Sequence, residues 1–421
     1  MKSVVLVASM GTLVAGALMG ACSDSFTSCL ETHTCPRKSD GGAGASAGGA
    51  QDIGGSNGRE LGGTDATGGT DATSGTDATG GAPTGGAGGA TAEASCSAAE
   101  TRCAGNFVQT CGDDQRFSDP EPCPADTPIC HLGACKVAPS CSGLGDKCGT
   151  SSSENCCTSS VIPGGTFDRE NDLHDVATVA DFRLDKYEVT VGRFRKFVNA
   201  TLGGWAPPNG AGKHEHLNSG KGLANAAGTA FETGWQPEWT AMLPATIGSW
   251  ATALNCSESY QTWSPIAGTN EKLPINCLDG VMANAFCIWD AAFLPTTTEL
   301  NYAQAGGDEQ RIYPWGDEDP EEDANLAAYG CYFGGGGGTC MGTSSIPTVG
   351  SIPAGAGRWG QLDLGGSLFE WAIVWSGKST GYARAGSSFV SDERYLLVAG
   401  FTGFTVAPKS YEFGLRCARM P

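Results

Sequence analysis

The chain has 421 residues, too many for one ordinary domain, and carries 45 acidic against 25 basic side chains for a net charge of −20. Such a surface repels phosphate backbones, which argues against nucleic acid as a partner. Its 19 cysteines belong to an oxidising rather than a reducing compartment.

In chain order, residues 1–21 read as an export signal. Lys2 supplies the positive start, and Val4 to Ala21 is an uncharged, mostly apolar run. It ends in Met19-Gly20-Ala21-Cys22, which resembles a lipobox whose cysteine is acylated and becomes the mature first residue. A plain secretory signal or an uncleaved anchor are the alternatives. Cysteine parity favours lipidation, because setting Cys22 aside leaves an even number that can all pair. The expected location is a bacterial cell envelope, with the protein lipid-anchored to a membrane and facing the periplasm or the cell surface.

Residues 22–95 form a tether rich in Gly, Ala and Thr, with a hexapeptide repeat running from Gly63 to Gly80. It has almost no large apolar side chains and cannot bury a core. A flexible stretch of roughly fifty residues spans about 40 Å between its ends. Cys29 and Cys35 are expected to close a small loop near its root. Residues 96–157 hold ten cysteines and few apolar residues, so disulfides must stand in for a core. The first six read as one small module and the last four, Cys141, Cys148, Cys156 and Cys157, as a hinge into the main domain. Cys130 and Cys135 read as structural.

Residues 158–421 form the main domain. Thr190 is a helix N-cap followed by Phe194, Phe197 and Val198 on one helical face. A second helix follows Asp279, with Met282, Ala285, Phe286 and Trp289 along one side. A third starts at Thr296, with Glu299 at capping-box spacing. Then come Tyr313-Pro314-Trp315-Gly316, Gly365-Gly366-Ser367-Leu368-Phe369-Glu370-Trp371, Arg384-Ala385-Gly386-Ser387 and Phe413-Gly414-Leu415-Arg416-Cys417.

Strings of this kind in this order over residues 161–419 resemble the formylglycine-generating, or sulfatase-modifying factor, family. The resemblance implies an α+β, C-type-lectin-like and loop-rich fold, which the 64 glycines and 21 prolines suit. It also implies a disulfide between Cys287 and Cys417. Cys256 with Cys277, and Cys331 with Cys340, are the expected remaining pairs. The family's oxidases use two copper-binding thiols to convert a substrate cysteine to formylglycine. Here Val390 and Tyr395 stand at the matching places, within Ser387-Ser388-Phe389-Val390-Ser391-Asp392-Glu393-Arg394-Tyr395. None of these side chains is a soft ligand for Cu(I), so copper is not expected and no catalytic residue is assigned. By the same resemblance, Asp363, Glu370 and the carbonyl oxygens of Gly366 and Leu368 match a structural calcium site of hard oxygen donors.

His214-Glu215-His216 lies in a Gly- and Asn-rich stretch without an obvious third ligand and reads as a solvated loop. The expected function is therefore binding, by an exported domain silent for formylglycine formation, with a peptide or an envelope protein as ligand. An oxidoreductase acting on protein or peptide cysteine through a non-standard site is the alternative. A structural envelope protein that makes contact through its Cys-rich module is the third.

Overall fold

The computed structural model describes residues 96–104, 106–145, 147–320, 325–376, 379–399 and 409–421. The signal segment, Cys22, Cys29, Cys35 and the repeats lie outside the described residues.

The six-cysteine module has an antiparallel sheet of β1 (Thr101–Ala104), β2 (Phe107–Thr110) and β3 (Glu121–Pro122), and a hairpin of β4 (Ile129–His131) and β5 (Ala134–Lys136). Its cysteines bond among themselves as Cys96–Cys111, Cys103–Cys130 and Cys123–Cys135. Cys130 and Cys135 face each other in the hairpin register, yet each bonds to a different strand or loop. That cross-linking ties hairpin to sheet where an apolar core is too small to do so.

The next four cysteines pair as Cys141–Cys157 and Cys148–Cys156. They are not a hinge. All four are buried, in a cluster with Ile129, Ala138, Tyr187, Val349 and Leu362. The six-cysteine module is docked as well: Asn106 Nδ2 donates to the Met420 carbonyl, Ser159 N donates to the Ala125 carbonyl and Arg183 donates to the Cys123 carbonyl. The expectation of a hinge fails because cysteine spacing reveals cross-links but not the apolar surface against which they pack.

In the main domain, β9 (Phe182–Asp185) runs antiparallel between β6 (Ser159–Ile162) and β13 (Ala418–Arg419), which brings the C-terminus into the core. A side hairpin joins β7 (Gly165–Asp168) and β8 (Val176–Val179). Helix α1 (Val191–Leu202) starts where the Thr190 side chain accepts from Arg193 N, and it buries Phe194, Phe197 and Val198. Phe194 stacks on Phe286 with centroids 5.6 Å apart. Helices α2 (Pro237–Thr240) and α3 (Ile247–Ala253) are short, and a Thr246–Ser249 capping box opens α3.

Helix α4 (Gly280–Trp289) follows the Asp279 cap and is buried on every side rather than along one face. Helix α5 (Thr297–Ala305) has the Thr296–Glu299 capping box and stops at Gly306, whose φ of 65° suits a residue without a side chain. The last sheet pairs β10 (Phe369–Ser376) antiparallel with β11 (Ser379–Ala385) and parallel with β12 (Phe413–Gly414). Cys287–Cys417 bonds α4 to the C-terminal segment, and Cys256–Cys277 and Cys331–Cys340 close the loops.

Four fully buried charged side chains join these parts. Arg193 of α1 reaches Asp185 at 3.0 Å and Asp290 at 2.9 Å, and Arg419 of β13 reaches Asp290 at 2.9 Å and Asp185 at 3.3 Å. Burial would raise the Asp290 pKa, but the two guanidinium charges and the Ser140 amide hold it below its ordinary value. Removing one member of such a network strands a buried charge, which costs about 3–5 kcal/mol. Arg419→Met should therefore lower the unfolding free energy in urea by about that amount. Arg394→Met, in an exposed pair with Asp392, should cost less than about 1 kcal/mol. Equal small losses in the two variants would show that the buried network does not hold the elements together.

Candidate functional site

The segment of residues 387–395, which the family resemblance sets against the copper thiols, leaves β11 and is held to the Cys331–Cys340 loop, where Cys331 N donates to the Phe389 carbonyl. Ser387 is buried, and its Oγ accepts from Gly366 N at 2.7 Å. Phe389 is fully buried, its amide donating to Ser367 O and its carbonyl accepting from Cys331 N. Val390 is half-buried and, like Tyr260, Cys340 and Tyr411, packs against a buried cluster of Ile346, Leu368 and Phe389. Tyr260 and Tyr411 stack at 4.8 Å, and Asn276 Nδ2 holds both backbones by donating to their carbonyls at 2.8 Å. Ser388 Oγ donates to Glu412 at 2.7 Å, and Ser391 Oγ accepts from Ser388 N at 2.9 Å.

Tyr395, by contrast, is 43% exposed beneath the Arg394 guanidinium. Val390 and Tyr395 thus sit in different surroundings, one against an apolar cluster and the other partly in solvent. Every cysteine among the described residues is in a disulfide, so no described thiolate is on offer and the donor set at residues 387–395 does not fit Cu(I). Hydroxyls, a carboxylate and aromatic faces can stack on and hydrogen-bond a ligand.

The proposed calcium residues fall in a second place, a buried acid cluster behind this segment. Asp363 and Ser367 take left-handed backbone angles of 61° and 59°. Gly366 lies between them at 80°, where a side chain would strike the Ala328 carbonyl. Asp363 Oδ2 accepts from Gly350 N at 2.6 Å. Glu370 turns both oxygens to Arg416 Nε, at 2.7 and 2.8 Å. Glu188, which sequence reasoning missed, completes the cluster by accepting from Ser367 Oγ at 2.8 Å and Leu368 N at 3.1 Å.

Three carboxylates thus face the Arg416 guanidinium. Burial, with mutual repulsion, raises Glu188 well above its ordinary value and Asp363 to about 6, while for Glu370 burial outweighs the pull of Arg416. The surplus of negative charge and the hard oxygens suit a calcium ion. Arg416 competes for Glu370, and among the described residues no three acidic, histidine or cysteine side chains meet as a metal cage.

The histidine pair is not a solvated loop. His214 is fully buried and the His216 side chain is 3% exposed. His214 Nε2 lies 3.0 Å from the Leu294 carbonyl, and Nδ1 lies 2.9 Å from Glu232 Oε1. A carbonyl and a carboxylate only accept, so both ring nitrogens carry protons and His214 is an imidazolium. Burial opposes that charge, but the hydrogen bond to Glu232 and the charges of Glu299 and Glu232 raise its pKa. His216 Nε2 meets Glu299 Oε1 at 2.6 Å, and its ring stacks on Phe293. Glu299 Oε2 caps α5 by accepting from Thr296 N at 2.7 Å. The sequence signal was weak because Glu232 comes from an irregular loop 18 residues away. Glu299 was visible as a cap but not as an ion-pair partner. His174 is exposed, between β7 and β8.

Residues 146–421 match the family model of the sulfatase-modifying factor enzyme 1-like domain, beginning inside the four-cysteine segment. The chain is similar to the inactive C-alpha-formylglycine-generating enzyme 2 of Bos taurus, 28% identical over 229 residues that make up 50% of this chain and 68% of that protein. It is also similar to the formylglycine-generating enzyme of Thermomonospora curvata, 26% identical over 305 residues, 62% of this chain and 93% of that protein. Among solved structures, PvdO from Pseudomonas aeruginosa aligns with a TM-score of 0.38 and 16% identity, over 62% of this chain and 94% of that one.

The His214 imidazolium makes stability depend on pH. Its folded-state pKa lies above the ordinary 6.5, so its contribution is fully present below 6.5 and lost as pH rises through the higher folded value. Melting temperature should fall above that point, and His214→Gln should flatten the fall while lowering stability at acid pH. An unchanged profile in the variant would remove His214 as the titrating group.

Proposed function

We propose that this chain, which belongs to the sulfatase-modifying factor enzyme 1-like family, is an exported, lipid-anchored binding protein whose family domain is silent for formylglycine formation. Cys22 carries the lipid, residues 22–95 tether the folded part to a bacterial envelope membrane, and the ligand is a peptide or an envelope protein. The eight disulfides fit an oxidising compartment. No described helix is long and apolar enough to cross a membrane.

One observation carries the reading. Val390 is packed into an apolar cluster, and the neighbouring polar groups are Ser388, Ser391 and Glu412 rather than thiolates. The two serines are buried and satisfied within the protein, while the half-buried Glu412, Tyr260 and Tyr411 supply an acceptor and stacking faces of the kind that loop sites use for recognition. Calcium at Asp363, Glu370 and the Gly366 and Leu368 carbonyls serves as a structural ion that offsets the surplus of buried carboxylates.

Two measurements test this. The full chain, given copper, oxygen and a Cys-x-Pro-x-Arg peptide, should form no formylglycine. Turnover abolished by a copper chelator would establish the oxidoreductase alternative instead. Metal analysis should find calcium in near-unit ratio. Calcium at about a hundred times its dissociation constant should raise the melting temperature by about 4–5 °C, and Asp363→Ala should abolish the effect. A calcium-independent melt would sink the structural-ion proposal while leaving the binding reading intact.

A further inference from the structure

A separate small pocket opens between α4, the β10–β11 hairpin and the loop leading to α2. It is partly open to solvent, with a cavity of about 10 Å³, and Gly212, Glu232, Trp239, Asn284, Thr380 and Tyr382 are among its lining residues. The elements are held close by Gly280, where a side chain would collide with the Tyr382 ring. One helical turn further on, Asn284 reaches the pocket wall. Tyr382 also sits opposite Ile373 in the hairpin register, and both line the pocket.

Two acceptors of this pocket, Asn284 Oδ1 and the Glu232 carboxylate, bear on what it can hold. Asn284 is 4% exposed, and its Nδ2 donates to the Tyr382 hydroxyl at 3.3 Å. Its Oδ1 is buried without a hydrogen-bond partner. An orphaned buried carbonyl costs free energy unless something donates to it. Glu232 is an ionised carboxylate, since burial would raise its pKa but the hydrogen bond and charge of His214 keep it low. The His214 imidazolium offsets that charge, and because Glu232 but not His214 lines the pocket, the pair turns its carboxylate end to it. Trp239 and Tyr382 touch each other at a tilt, with ring centroids 6.2 Å apart, and line the pocket as aromatic surface against which a cation can rest. The deep part of the pocket has room for about one water-sized group.

We propose that this pocket binds a primary alkylammonium group, of the kind a lysine side chain or a small free amine presents. Such a head is water-sized, donates N–H to Asn284 Oδ1 and is attracted by Glu232 and the rings. A quaternary ammonium has no N–H to give the orphaned oxygen, and a planar guanidinium is too wide. The surplus of acidic residues over basic ones in the whole chain favours the approach of a cation. Lys213 lays its stem along Gly234 at the pocket wall and is a like charge that the ligand must outcompete. The proposal stands apart from the reading of residues 387–395 and from that of calcium, since it uses none of their residues.

The test is calorimetric titration of the full chain with n-butylammonium, n-butanol and butyrate. n-Butylammonium should bind at one site at least about tenfold more tightly than n-butanol, the margin set by a charge-assisted hydrogen bond, and butyrate should not bind. Asn284→Leu should cost about tenfold and Asn284→Asp should tighten binding by a similar factor. Lys213→Met should strengthen it. If Asn284→Leu does not fold, Thr380→Trp at the half-buried rim should block the pocket. A blocked tripeptide, acetyl-Gly-Lys-Gly-amide, binding more tightly than n-butylammonium identifies a peptide lysine as the source, and weaker binding identifies a free amine. Equal binding of alcohol and amine, preference for butyrate, or indifference to both Asn284→Leu and Thr380→Trp would overturn the proposal.

Discussion

The structure depends on a neutral network of two arginines and two aspartates with no access to water. Arg193 and Arg419 share Asp185 and Asp290, and the four come from α1, β13, β9 and the end of α4. Arg193 also donates to Ser140 Oγ at 2.9 Å and to the Cys156 carbonyl at 3.1 Å, while Ser140 N donates to Asp290 at 2.7 Å. The network therefore fixes the four-cysteine segment as well as the domain's own elements. Equal numbers of opposite charges make this burial tolerable. Replacing the whole set by apolar residues need not weaken the fold, because a buried ion network contributes more to uniqueness of arrangement than to net stability. Its value here is geometric: it joins a loop-rich chain at the one point where four elements converge.

Arg416 lies three residues before Arg419 and serves a different cluster under different charge balance. Its guanidinium holds Glu370, and it also donates to the carbonyls of Asp185, Lys186 and Leu362. Burial opposes its charge, but the carboxylates of Glu370, Glu188 and Asp363 raise its pKa. The first network is internally balanced. The second is not, since three carboxylates share that guanidinium. An imbalance of this kind asks for a proton or a cation, whereas the neutral network asks for neither. Chemistry that responds to solution conditions thus belongs at the acid cluster, and the rigid joint belongs at the balanced one.

What could be read in the sequence was local. Thr190 capping α1, Asp279 capping α4 and the Thr296–Glu299 box follow from short spacings. The order of the family strings led to the fold, and the pattern of Val390 and Tyr395 to the missing thiols. What could not be read was convergence. His214 and Glu232 meet through a loop without periodicity, and Glu188 meets Asp363 and Glu370 across some 180 residues. The four-cysteine segment looked like a hinge because its burial is against Tyr187, Val349 and Leu362, residues that nothing in its own sequence identifies. In a loop-rich chain, neighbours in space are set by disulfides and buried ion pairs, and neither has a period.

The residues proposed to stand where the family carries copper thiols follow the same logic. Val390 extends an apolar cluster containing Phe389, Leu368 and Ile346, and the Cys331–Cys340 loop packs onto it. The flanking serines satisfy one another and Glu412, so that Ser388 N and Oγ and Ser391 Oγ all have partners. Tyr395, the other position in that proposal, is partly exposed beside Arg394. One of the two side chains is thus taken up in packing and the other lies at the surface. Restoring a metal centre here would require undoing the packing as well as supplying ligands, since two thiolates must converge on one ion. The arrangement is internally consistent for a rigid recognition surface, in which the scaffold is fixed by disulfides and the exposed aromatic and acidic groups are free to meet a ligand.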